Sequence, residues 1–156
     1  MSHRYVIKAE GLTRRFETVE AVHNLSFQVE EGSVYGLIGK NGAGKTTTIR
    51  LLLGLLWPDA GQSWILGEDS LHLSLPCRQQ IAYVSEAAFP YDTLPIRPLL
   101  HFIASFFPQW DWRYTDHLLD HFKVPTNRLL NQMSRGERRQ CELILALSQQ
   151  PKVHCR

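Results

Sequence analysis

The chain has 156 residues, 44% of them hydrophobic and 21% charged, with a formal net charge of +2. This is the balance of an ordinary globular domain and excludes a disordered segment. So small a charge argues against nucleic acid as the partner, and the clusters Arg14 with Arg15 and Arg135 with Arg138 and Arg139 read as solvated faces.

Short strand patterns come first: Tyr5–Ala9, Leu25–Val29 and Val34–Ile38, with Glu31 and Gly32 as a turn between the last two. A glycine-rich loop follows, and after it a helix with Ile49, Leu52, Leu53 and Leu56 at i, i+3, i+4 and i+7 on one buried face. Pro58 to Gly61 should stop that helix. Trp64–Leu66 and Ile81–Val84 read as two more strands. From Ile96 to about Met133 the pattern turns helical and aromatic, with helices expected over Leu99–Phe107 and Tyr114–Phe122 and first-turn prolines at Pro95 and Pro98. A last helix is expected from Ser134 to about Ser148, with Cys141, Ile144, Leu145 and Ser148 sharing a face. The expected organisation is one unit with three parts: a core over residues 1–86, a helical subdomain over 87–133, and a signature helix with a short strand over 134–156.

The N-terminus lacks a signal-peptide pattern, and the apolar stretches Leu51–Trp57 and Phe102–Phe107 are too short to span a bilayer. A cytosolic protein, or one attached to something that is not, is expected. Cys77, Cys141 and Cys155 are odd in number and lack the spacing of a disulfide framework or zinc site.

The strongest chemical signal is Gly39-Lys-Asn-Gly-Ala-Gly-Lys-Thr-Thr47, a full G-x-x-x-x-G-K-[ST] match between an apolar run and an amphipathic helix. Its three glycines let the backbone wrap closely, so that N–H groups from Asn41, Gly42, Ala43, Gly44, Lys45, Thr46 and Thr47 can converge on phosphate. The helix start adds its positive dipole end. Lys45 would neutralise phosphate charge, and the hydroxyl of Thr46 would ligate Mg²⁺. His117 and His121 have the i, i+4 spacing of a metal pair but lie opposite Leu118, Leu119 and Phe122, so a solvated helix face is favoured. Trp110, Trp112 and Tyr114 read as packing for a small core.

The order of these pieces resembles the ATP-binding cassette of ABC transporters, from about residue 4 to residue 153. Within that family it is most similar to the separate ATPase subunits of bacterial antibiotic and multidrug export systems. The stretches "FFPQWDWRYTDHLLDHFKVP" and "QMSRGERRQ" carry that likeness. The resemblance implies an α/β fold: a P-loop NTPase (ABC ATPase) core with a β-rich N-terminal part and a helical subdomain, incomplete at the C-terminus. It implies that Phe16 stacks on adenine, although a strand-edge core residue is the alternative reading of that position. Glu86 stands where the family has a metal-sensing glutamine; it is either a second Mg²⁺ ligand or an exposed loop acid. The family signature, usually Leu-Ser-Gly-Gly-Gln, appears as Met133-Ser-Arg-Gly-Glu137. Ser134 and Gly136 would bind the γ-phosphate of ATP held by an opposite subunit, and Ser134-x-x-Glu137 is also a capping box.

In the family the stretch after Pro151-Lys152-Val153 continues as an apolar strand ending in Asp-Glu, whereas here the sequence reads His154-Cys155-Arg156 and stops. The expectation is a cassette truncated before Walker B, with no catalytic residue to name, ATP and Mg²⁺ as ligands, and little or no hydrolysis. The implied partners are a membrane permease and a second ATP-binding subunit, at the inner face of the cell membrane. Two alternatives stay open: a non-catalytic nucleotide-binding or dimer-blocking module, and an inactive gene-fragment product. A GTPase is disfavoured because no Asn-Lys-x-Asp segment occurs.

Overall fold

The computed structural model describes residues 5–85, 91 and 93–156. The chain divides into two compact units, Met1–Arg78 and Gln79–Arg156.

In the first unit, β1 (Tyr5–Phe16) and β2 (Val19–Glu30) form a long antiparallel hairpin. Strand β1 also pairs antiparallel with β3 (Ala60–Ile65), and β3 with the short β4 (Glu68–Asp69), giving the sheet order β2-β1-β3-β4. Ala9, Leu12 and Ile65 are buried on this sheet, the first two separated by a β-bulge in β1. A 3-10 turn at Ser70–His72 and a one-turn helix, α2 (Leu75–Arg78), complete this unit.

The expected strand at Val34–Ile38 is not there. Residues 33–40 belong to no helix or strand, Val34 and Ile38 are fully exposed, and Tyr35 stacks on Phe27 with ring centres 5.0 Å apart. A strand exists only where a neighbour completes its hydrogen-bond ladder, and no described strand pairs with this run.

Helix α1 (Lys45–Leu52) is shorter than expected and turned slightly: Thr48, Leu51, Leu52 and Leu53 are buried, while Ile49 and Leu56 are only partly so. Its end is a Schellman motif rather than a proline stop. The N–H of Leu55 donates to Arg50 O (2.9 Å) and that of Gly54 to Leu51 O (3.1 Å), with Gly54 left-handed at φ +64°.

In the second unit, β5 (Ile81–Tyr83) pairs in parallel with β6 (Val153–Cys155). Ala82 and Val84 pack on Ala146 of α5 (Arg135–Ser148). Two further helices, α3 (Ile96–Ala104) and α4 (Trp112–Phe122), join α5 around one apolar cluster: Ile96, Leu99 and Leu100; Leu118 and Leu119; Cys141, Ile144 and Leu145. Helix α3 stops before the expected Phe107 because Phe106 and Phe107 tighten into i to i−3 bonds, to Ile103 O (3.0 Å) and Ala104 O (3.1 Å). Trp110, Trp112 and Tyr114 pack against the cluster. Helix α4 is capped by the Asp111 carboxylate, which accepts from Tyr114 N at 2.8 Å. It ends in the same motif as α1, with Lys123 left-handed at φ +53° and Val124 N donating to Leu119 O at 3.1 Å. Burial pushes the Cys141 thiol up to about 12, so it sits in this core as a protonated apolar group against Met133.

Ile144 is fully buried in the cluster. Ile144→Ala should therefore lower the unfolding free energy by about 2–5 kcal/mol, read as a lower denaturant midpoint at unchanged slope. Phe102→Ala, at a half-exposed ring, should cost clearly less; an equal loss would place the core elsewhere.

Candidate nucleotide-binding site

The loop of residues 39–44 is built by backbone rather than by side chains. Ala43 N donates to Lys40 O (3.1 Å), and Gly42 and Gly44 take φ of +84° and +82°. Gly44 is the residue the arrangement cannot replace: a Cβ there would lie 2.0 Å from the carbonyl oxygen of Ala21 in β2. Its own carbonyl accepts from both Thr48 N (2.8 Å) and Thr48 Oγ1 (2.9 Å), which fixes the direction of α1. Gly44 is also the N-cap, and with no side chain it caps nothing. The first-turn amides of Lys45, Thr46 and Thr47 are thus left to an outside acceptor, at the positive end of the helix dipole.

Lys45 folds back over the loop, its ammonium donating to Gly39 O (2.7 Å) and Lys40 O (2.8 Å). Asn41, Gly42, Ala43 and Thr46 are exposed, and Thr47 is half-buried. No carboxylate occurs between Gly39 and Thr47. The groups offered are therefore amides, one ammonium and hydroxyls, a set that fits an anion with an accompanying cation. A Cβ on Gly42 would meet nothing within 4 Å, so the loop face there is open.

Phe16 lies at the end of β1, opposite Val19, and is 42% exposed, so the ring is not a core residue. The Arg14 guanidinium covers one of its faces, 4.9 Å from the ring centre. Ala21, which receives Gly44, lies near this same end of the hairpin, where Phe16 pairs with Val19 and Arg15 with Glu20. The loop and Phe16 are thereby placed at one end of the first unit. Arg14 was not singled out from the sequence as part of this group, although its i, i+2 spacing to Phe16 puts both on one face of the strand.

Ser134 and Gly136 stand in the second unit, exposed at the start of α5. The capping box is formed in full: Glu137 N donates to Ser134 Oγ (3.2 Å), and Ser134 N donates to Glu137 Oε2 (2.7 Å). Arg128 braces the other carboxylate oxygen at 3.1 Å. The Ser134 N–H, then its hydroxyl, and the nearby Arg128 hold the Glu137 carboxylate below its ordinary 4.5. Glu86 lies outside the described residues.

The family model described as "ABC transporter" matches residues 22–155. The chain belongs to the ABC transporter family. It is 37% identical over 99 residues to the probable multidrug ABC transporter ATP-binding protein YbhF of Escherichia coli (strain K12), covering 64% of this chain and 17% of that protein. It is 31% identical over 150 residues to the bacitracin transport ATP-binding protein BcrA of Bacillus licheniformis, covering 95% of this chain. The ABC-family chain spans 49% of that relative's length. A solved structure of an ATP-binding subunit of an ABC transporter superposes with a TM-score of 0.83 over 96% of this chain and 64% of the other, at 24% identity. The fold is therefore that of a P-loop ABC ATPase.

Three outcomes follow for this family member. Gly44→Ala should cost more than the roughly 1–2 kcal/mol of a non-glycine in left-handed backbone, because its Cβ meets the Ala21 carbonyl. Gly42→Ala, with open space beside it, should cost only that backbone penalty, and equal thermal shifts for the two would contradict the contact. At α5, Ser134→Ala should cost about 1 kcal/mol. The depressed Glu137 value gives a pH signature: its contribution is complete above 4.5 and is lost as pH falls through the lower folded-state value. Unfolding midpoints followed from about pH 6 to about pH 3 should show a weaker acid-side decline in Glu137→Gln than in the parent.

Proposed function

We propose that this chain is the nucleotide-binding part of an ATP-driven export system. The observation that carries the proposal is the uncapped start of α1, where Gly44 packs on Ala21 and leaves the first-turn amides, Lys45 and Thr46 facing one open loop. Backbone N–H groups from Asn41 to Thr47 bind the β- and γ-phosphates, Lys45 moves from its two carbonyls onto phosphate oxygen, and Gly39 keeps the loop narrow. Phe16 offers its uncovered face to adenine. Thr46 would hold Mg²⁺, which when bound would neutralise charge on the phosphate oxygens.

Ser134 and Gly136 act on ATP held by a second ATP-binding subunit, through the positive end of α5. Partnership with a membrane permease is inferred from the family. Export is supported by the likeness to the multidrug and bacitracin transport proteins. No helix of the described residues is long and apolar enough to cross a membrane, which suits a cytoplasmic subunit seated on a permease at the membrane's inner face. These 156 residues by themselves are proposed to bind ATP but hydrolyse it poorly or not at all, since phosphoryl transfer needs a positioned nucleophile and none of these residues is assigned that role. The division into a core over 1–86, a helical part over 87–133 and a signature helix from 134 is kept as part of this reading.

Thermal unfolding with and without Mg·ATP tests it. At a ligand concentration 100 times its dissociation constant the native state gains about 2.7 kcal/mol, so the parent melts higher, and Lys45→Ala should lose that rise. No shift in the parent, or the same shift in Lys45→Ala, would reject the site. Rapid metal-dependent phosphate release by the parent would reject the hydrolysis part alone.

A further inference from the structure

The two histidines of α4 are not used by the nucleotide site, and the structure puts them in a specific relation. His117 and His121 are both exposed, one turn apart on an 11-residue helix, with ring centres 6.2 Å apart and planes inclined by 30°. Their helix is fixed at both ends, by the Asp111 cap and by the left-handed Lys123, and its opposite face is anchored through Leu118 and Leu119 in the apolar cluster. The pair is therefore held on a stiff frame rather than on a loop.

We propose that His117 and His121 form a two-imidazole binding site for a divalent transition-metal ion, with Cu²⁺ bound most tightly and Ni²⁺ or Zn²⁺ less so. A metal about 2.0–2.1 Å from one nitrogen of each ring holds ring centres about 4.5–5.5 Å apart at ordinary angles, so the two exposed rings, 6.2 Å apart, turn toward each other by about 1 Å to share an ion. Imidazole is the ligand these ions share, and the order of affinity follows the general series for first-row ions. The site sits in the last turns of α4, with His121 in the final turn, where the negative end of the helix dipole favours an added cation. No group of three or more His, Cys, Asp or Glu side chains capable of holding a metal occurs among the described residues. Water therefore completes the coordination, and the site is an open, exchangeable surface site rather than a closed structural one. Binding at two points of one helix also ties adjacent turns together, so the ion stabilises α4 as well as occupying it.

The test is calorimetric titration of the untagged 156-residue chain with Cu²⁺ alone, repeated with Ni²⁺, in a His3→Gln background that removes the amine, amide and imidazole chelate of Met1-Ser2-His3, beside His117→Gln, His121→Gln and the double variant. The chain has seven histidines, so His23→Gln and His72→Gln, both at exposed positions, serve as controls for scattered binding. The expected result is one tight equivalent in the parent and in both controls, with affinity lowered on the order of 100-fold in either single α4 variant, because the second imidazole binds at high effective concentration. Circular dichroism checks that the α4 variants keep their helix content, as exposed positions should. Equal affinity in the parent and the α4 variants would overturn the proposal, and so would the absence of a tight equivalent in the parent. Neither result bears on nucleotide binding, which is read separately with Mg·ATP.

Discussion

One steric fact organises the first unit: the carbonyl of Ala21 occupies the space a side chain at residue 44 would need. Only glycine can stand there, and only in the left-handed conformation it adopts. Because the contact is to backbone, no side-chain adjustment relieves it. The loop is thereby pressed onto β2, the Gly44 carbonyl is aimed at Thr48, and α1 leaves the hairpin in a single direction. The open amides, the Lys45 fold-back and the nearness of the Phe16 end of the hairpin all depend on that contact.

The helix starts of the chain differ in what they leave available, and the difference is chemical. At α4 the Asp111 carboxylate occupies the amide of Tyr114, leaving those of Trp112 and Arg113 without a helical partner. At α5 Ser134 and Glu137 take each other's N–H groups, leaving the amides of Arg135 and Gly136 without a helical partner. At α1 the cap has no side chain at all. Asp111 and Ser134 thus each take one amide of their helix, whereas Gly44 at α1 and Pro95 at α3 take none, and of these two only α1 follows a glycine-rich loop.

Much of this was legible in the residues. The glycine-rich loop needs its glycines for backbone reasons, so spacing alone located it. The Ser134 cap with Glu137 is a local motif, and it formed as read. The buried face of α5 follows from a 3.6-residue period that Cys141, Ile144, Leu145 and Ser148 obey. The failures share a different cause. Val34–Ile38 has the composition of a buried strand, but a ladder is a property of two segments, and one segment's composition cannot state whether the other is beside it. The early end of α1 hinged on Gly54, whose left-handed conformation is shaped by the Ser70 carbonyl, 16 residues away in sequence. Arg14 over Phe16 was readable from strand alternation, but the ring drew attention and its cover did not. The i, i+4 relation of His117 and His121 was readable from the sequence, on a helix expected to run past both; the distance between their rings was not.

Lys45 carries a last consequence. Its ammonium is not waiting unpaired; it is bonded to two carbonyl oxygens of its own loop. Any arriving group must therefore exchange with bonds already made. A neutral acceptor offers the ammonium nothing better than the amide oxygens it would give up, since a charged donor meets a neutral oxygen in either case. An anionic oxygen adds direct attraction between opposite charges. In the proposed reading the resting contact therefore makes exchange an even trade for an uncharged molecule and a favourable one for an anionic oxygen.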